Sequence, residues 1–293
     1  MKKVLASFGF VVVMFSACAN RPSNELAPRG ESLQALLDAL QKTNDAGSAR
    51  MAIDLTFASS EQTMHVTGDV EYTMDPTDPA SLREHVLLDI PSLGMIPGGK
   101  IELIVGRGSV LFVRAPMLAA FIPTSTPWVK LDPSTVAQDH GGLGAGTAAV
   151  NPAAILAAIE DALTVEEVGA DTVDGSGTTR YRATVDLVKL LPLLAEMSPN
   201  GPTDAEMRDA RDELASLGME TLPIELWVDG DGFLKQAHVS LDPREPAGSP
   251  SFSLTLMFSD VGEDISIDVP PASQVTDVGD LLARGFPPVT SLS

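Results

Sequence analysis

Of 293 residues, one is cysteine, four are histidine, two are tryptophan and two are tyrosine. A single cysteine excludes an internal disulfide, so an exported form of this chain must hold its fold by apolar burial. Basic residues are also scarce, 19 Lys and Arg against 40 Asp and Glu, for a formal charge of −21. A surface of that sign repels nucleic acid and anionic headgroups, which removes both as electrostatic partners. His65, His85, His140 and His238 are scattered, with no H-x-x-x-H pair and no cysteine beside them, so no metal site is expected. Catalytic signatures are missing too: there is no G-x-S-x-G, and the GSG at 175–177 has the wrong spacing. GAGTAA at 144–149 fits G-x-G-x-x-A, yet no strand leads into it and Asn151-Pro152 interposes before the next helix, so a dinucleotide is not expected. DGDG at Asp229–Gly232 begins like a calcium loop, but Phe233 stands at the third ligand position, and the stretch reads as a hairpin turn. The expectation is a chain without cofactor or catalysis.

What is present starts at the N-terminus. MKK leads into the apolar run VLASFGFVVVMFSA, the two regions of an export signal. The run is shorter than the roughly 20 residues a permanent membrane helix needs. Ser16 and Ala17 precede Cys18, so the stretch resembles a bacterial lipobox, with Phe15 where an aliphatic residue is usual. That resemblance implies cleavage before Cys18 and a diacylglycerol on its thiol; the alternative is a buried free thiol in a signal cut elsewhere. One acyl chain binds a bilayer marginally whereas two or more hold it, so Cys18 with palmitate-type chains would anchor the protein on the extracytoplasmic side of the cell membrane. ANRPSNELAPRG then reads as a tether of at most about 40 Å. The expected divisions are 1–17 signal peptide, 18–30 acylated Cys and tether, 31–275 folded domain and 276–293 tail.

The folded part opens with a helix: Leu33, Leu36, Leu37 and Leu40 recur at helical spacing and Gly47 stops them. The period then becomes 2. Met51, Ile53, Leu55 and Phe57 alternate, then Met64, Val66, Val70, Tyr72 and Met74, then Leu82, Val86, Leu88 and Ile90, an antiparallel meander with one wet face. KIELIVGRG and SVLFVRA follow, and VLFV is apolar on both faces, as in a sheet covered on both sides. The loops IPSLGMIPGG and PMLAAFIPTSTP are apolar where loops are normally polar, which fits either a core or a ligand mouth. Asn151-Pro152 starts a helix, TVEEVGADTVDG and TTRYRATVDL form a hairpin, VKLLPLLAEM a short or kinked helix around Pro192, and Thr203 with Glu206 a capping box. LPIELWVD, GDGFLKQAHVSL and PSFSLTLMFSDV are the last full strands, and DISIDVPP a short closing one. The fold class expected is α+β: a strongly curved antiparallel sheet of about 10–11 strands, an open half-barrel wrapped around a few helices with an apolar cavity.

PWVKLDP at 127–133, NPAAILAAI at 151–159, RYRATVDL at 180–187, LPIELWVDGDGFLKQAHVSL at 222–241 and FSDVGEDISIDVPPASQV at 258–275 resemble, in order and spacing, the LppX and LprG group of actinobacterial envelope lipoproteins. The resemblance implies a LolA- and LolB-like fold whose hydrophobic cavity takes an acylated lipid or lipoglycan and carries or presents it in the cell envelope. An envelope transporter is the further partner left open. Periodicity and the apolar loops give the cavity lining as Leu88, Ile90, Met95, Ile96, Leu103, Leu111, Val113, Leu118, Phe121, Ile122, Leu190 and Leu194. The competing expectation is an envelope lipoprotein with a filled core that docks a protein partner or senses one; an esterase is a distant third.

Overall fold

Alternating residues become paired strands along most of the chain. The computed structural model describes residues 30–59, 63–91, 99–116, 126–132, 162–196, 203–216, 218–241 and 251–277. A first antiparallel meander runs through β1 (Ser48–Ala58), β2 (Thr63–Asp75), β3 (Asp78–Ile90), β4 (Gly99–Gly106), β5 (Val110–Arg114) and β6 (Trp128–Leu131). A second runs through β7 (Leu163–Val173), β8 (Ser176–Asp186), β9 (Thr221–Asp229), β10 (Leu234–Leu241) and β11 (Ser251–Ser259). They join where β1 pairs with β11, Ile53 opposite Leu256 and Leu55 opposite Leu254. The three-residue β12 (Val275–Asp277) adds to β6 in parallel. The result is one open, curved 12-stranded sheet in the order β12-β6-β5-β4-β3-β2-β1-β11-β10-β9-β8-β7. The α+β class expected from the sequence is the one found, with β12 beyond the expected count.

Three helices are described: α1 (Glu31–Asp45), α2 (Leu187–Glu196) and α3 (Asp204–Ser216). Helix α1 lays Leu36, 1% exposed, and Ala39 against Leu55, Val66, Tyr181, Leu226 and Leu234 on one sheet face, hereafter the helix side. Gly47 turns the chain from α1 into β1 at φ +74°, where a Cβ would stand 2.7 Å from the carbonyl oxygen of Met74. Around Pro192, α2 stays short, and its Leu190 is fully buried among Ala162, Val185, Leu222, Val239 and Leu241. The capping box of α3 forms as expected: Thr203 N–H donates to Glu206 Oε2 at 2.8 Å and Glu206 N–H to Thr203 Oγ1 at 3.3 Å. The Thr203 N–H, and then the Thr203 hydroxyl, which also donates to Oε2, favour the ionised carboxyl and hold Glu206 below its usual range. The DGDG stretch is a turn, Asp229 Oδ1 accepting from the N–H groups of Asp231 and Phe233.

The outer face is polar at the sheet centre. Arg50 donates to Glu71 Oε1 at 2.8 Å and to Asp260 Oδ2 at 2.5 Å. His85 sits between Glu71, 3.8 Å away, and Glu102, at 2.9 Å, and Arg114 closes the row on Glu102 while its guanidinium lies 5.0 Å from the Trp128 ring. This alternating row crosses β1 to β5. Beside it the chain after β11 runs back over the sheet as a strap. Ser48 Oγ donates to the Glu263 carbonyl at 2.6 Å, Arg83 to the Ile267 carbonyl at 3.2 Å, and β12 ends the strap on β6. Ile265 and Ile267, 7% and 4% exposed, press on Ile104, Phe112 and Trp128. The DISIDV alternation expected to pair as a strand therefore packs without pairing. It also covers the outer face of the two-sided apolar VLFV of β5, at Phe112.

Candidate functional site

The two halves of the helix-side face differ in cover. Residues of β8 to β11 there are mostly sealed: Ala183, Leu226, Leu234, Ala237, Val239 and Leu256 are each 4% exposed or less, while Ile224 and Phe252 at one end are partly buried. On β3 to β5 the same face carries Val86, Leu88, Ile90, Ile101, Leu103, Val105, Leu111 and Val113, and all are only half-buried. The strand register arranges them in rows. Val70, Val86, Leu103, Val113 and Val129 follow one another across five strands, and Ile53, Gly68, Leu88 and Ile101 form the next row. Gly68 has a packing reason: a Cβ there would lie 2.6 Å from Leu88 Cδ2 and against the Leu87 carbonyl oxygen. Leu88 thus occupies the space a side chain on β2 would take. The result is a contiguous aliphatic strip one strand pair wide of the sealed core, and part of it reaches solvent.

Of the expected lining residues, Leu88, Ile90, Leu103, Leu111 and Val113 share this strip, and Ile90 also touches the main core. Leu190 lies apart from it in the sealed core around α2. Met95, Ile96, Leu118, Phe121, Ile122 and Cys18, and the side chain of Leu194, lie outside the described residues. Among the described residues a concavity opens on the outer face, a groove of about 520 Å³ that touches Asp54, Thr67, Asp69, Leu87, Asp89, Lys100, Thr255 and Met257. His65 is on that face, exposed and 2.9 Å from Asp54. No group of three metal-ligating side chains and no helix long and apolar enough to cross a membrane occurs among the described residues.

One residue of the strip escapes periodicity. Leu82, Val86, Leu88 and Ile90 are the apolar phase of β3, and Glu84 occupies the same phase between them. It faces Tyr72 on β2 and Val105 on β4. Burial pushes the Glu84 carboxyl above its usual range, and burial followed by the charge of Glu84 pushes the Tyr72 phenol up. The signal that could have found it is the skipped position itself, a carboxylate in an otherwise apolar period-2 series.

No family model matches the chain. It is 31% identical over 122 residues to an uncharacterised 31.2 kDa protein of Streptomyces griseus encoded between rplA and rplJ, a stretch that is 41% of this chain and spans 37% of the relative's length. Among solved structures, LprF of Mycobacterium bovis is similar over 84% of this chain and 100% of its own, with 16% identity and a TM-score of 0.46. The lipoprotein LppX of Mycobacterium tuberculosis is similar over 80% and 99%, with 14% identity and a TM-score of 0.42. A LolA-superfamily protein of Nitrosomonas europaea covers 83% and 96% at 10% identity and a TM-score of 0.24. At these scores the fold rests on the chain's own strand order: an open, mostly antiparallel sheet of the curved α+β kind.

Proposed function

We propose that the chain is an envelope lipoprotein that binds the acyl part of a lipid or glycolipid on the helix-side strip of β3 to β5 and presents or carries it without chemistry. The observation that carries this is the contrast in cover, a mostly sealed face on β8 to β11 and a continuous half-buried aliphatic face on β3 to β5 within one sheet. Aliphatic walls suit flexible chains, each methylene moved from water to such a wall being worth about 0.8 kcal/mol. The Cys18 anchor, after removal of 1–17, would hold the protein beside the bilayer that supplies the ligand, on the extracytoplasmic side. The test is native mass spectrometry of protein purified from an envelope-bearing host, followed by titration of the delipidated protein with a fluorescent fatty acid. Co-purified amphiphile and saturable binding that Leu103→Trp abolishes are expected; no bound amphiphile and no titration would end the proposal.

A second reading is favoured by the outer-face groove, where Asp54, Asp69 and Asp89 meet Lys100. There the sheet would dock a protein partner and its helix side would be plain core. Crosslinking that maps to Thr67 and Thr255, in protein that takes up no lipid, would support it.

A further inference from the structure

Glu84 is an unusual residue to find on the aliphatic strip. Strand register places it in the row Ala49, Tyr72, Glu84, Val105, Leu111, Leu131, next to the row of Val70, Val86, Leu103 and Val113. Its carboxyl is half-buried and, among the described residues, has neither a hydrogen bond nor an ion pair. Nearby cations are engaged elsewhere: Arg83 donates to the Ile267 carbonyl on the outer face, His85 lies between Glu71 and Glu102, and Arg107 is 3.9 Å from Asp78. A carboxylate in apolar surroundings without a countercharge costs stability, and a leucine or valine would serve the packing better. Tyr72, its direct partner across the strand pair, adds a phenol on the same face, and burial weakens that phenol's acidity so that it stays a hydroxyl at neutral pH.

We propose that Glu84 and Tyr72 seat the protonated amine of an amphiphile whose chain lies along the neighbouring aliphatic rows. The carboxylate accepts from the ammonium and supplies its countercharge, while the Tyr72 hydroxyl accepts a second N–H. An anionic head is disfavoured twice, by the unpaired Glu84 carboxylate and by the chain's charge of −21. A neutral hydroxyl could bond to the pair but would leave the carboxylate without a countercharge. The inference rests on the lipid-binding reading above and adds the head chemistry to it.

The test is displacement of the uncharged apolar reporter N-phenyl-1-naphthylamine from the full chain at pH 7. Dodecylammonium, dodecanol and dodecanoate are compared below their micelle concentrations. Dodecylammonium should bind about tenfold more tightly than dodecanol, the scale of one charge-assisted hydrogen bond, and dodecanoate most weakly. Glu84→Gln should erase the preference for the amine and leave dodecanol unchanged; Tyr72→Phe should reduce it by a smaller factor. Glu84→Gln removes one charge of many, so general attraction of ammonium to an acidic surface would survive it. Equal binding of amine and alcohol, or a preference that persists in Glu84→Gln, overturns the seat alone. Failure of every amphiphile to displace the reporter overturns the lipid-binding reading and the seat with it. Should Glu84→Gln not fold, Tyr72→Phe and salt decide: an amine preference that Tyr72→Phe leaves whole, or that high salt abolishes as it would a surface attraction, refutes the seat.

Discussion

Truncation of Ile267 to alanine tests how far the strap holds the β4–β6 end of the sheet. Ile267 is 4% exposed and packs with Ile265 on Ile104, Phe112 and Trp128. The change removes a methylene and two methyl groups, about 2.4 kcal/mol at about 0.8 kcal/mol each. A residual cavity adds to that, because Trp128 and Phe112 are fixed in their strands and collapse only in part, so about 3 kcal/mol is expected. At this chain length that lowers the melting temperature by about 6–12 °C. Urea unfolding followed by circular dichroism reads the global loss, and amide hydrogen exchange reads its location. Exchange should rise first in β5, β6 and β12, while β8 and β9, which the strap does not touch, stay protected. Val269→Ala is the control, since Val269 is 49% exposed and should change stability by no more than about 0.5 kcal/mol. A loss below about 1 kcal/mol for Ile267→Ala, or exchange that rises equally in β8 and β9, would refute the clasp.

Gly47→Ala should cost about 1–3 kcal/mol in urea unfolding, because alanine is strained at φ +74° and its Cβ would strike the Met74 carbonyl. The folded-state pKa of Glu84 is raised above the unfolded value of about 4.5, so its burden is absent at pH below that value and grows as pH rises through it. Glu84→Gln should therefore be more stable than wild type at pH 7 and equal to it near pH 3, as thermal melts across pH would show. Glu206 runs the other way: its pKa is depressed, so its cap contributes above about pH 4.5 and is lost on acidification, and Glu206→Gln should flatten the acid limb of α3 exchange. Replacing Cys18 by Ala should move the protein from the membrane fraction to the soluble fraction, and membrane retention would remove the anchor from the proposed function.

Period-2 alternation made the strands legible because one face of the sheet is apolar and the other polar at its centre. Met51 to Phe57 and Phe252 to Phe258 are read correctly from spacing alone, and they turn out to pair with each other. Alternation does not reveal a bonding partner, which is why Ile265 and Ile267 read as a strand although they only press one side onto Trp128 and Phe112. The second apolar face of β5 pointed to a cover on the outer side, yet nothing in the local pattern identified it as a stretch more than a hundred residues later. For the site, spacing picked the phase of Leu88, Leu103, Leu111 and Val113 but could not separate a half-buried strip from a sealed core such as that of Leu190, since both use the same residues. Glu84 was legible only as an interruption.

The β1–β11 pairing has a consequence for how the molecule is made. Arg50 and Ser259 are direct partners, so β1 is among the first strands to leave the ribosome and its second edge stays vacant until nearly the last strand arrives. Closing a loop of that span carries a large entropic cost, which grows only slowly with length but must be met before any contact across it forms. Pairing of this range slows folding, and an open strand edge during the wait invites association with other chains. Arg50 and Asp54, alternating on β1 with Met51, Ile53 and Leu55, put charge beside that edge throughout the interval. The seam between the two meanders is therefore the step at which a new copy of this chain is most exposed to misassembly, and charge beside an open edge works against such pairing.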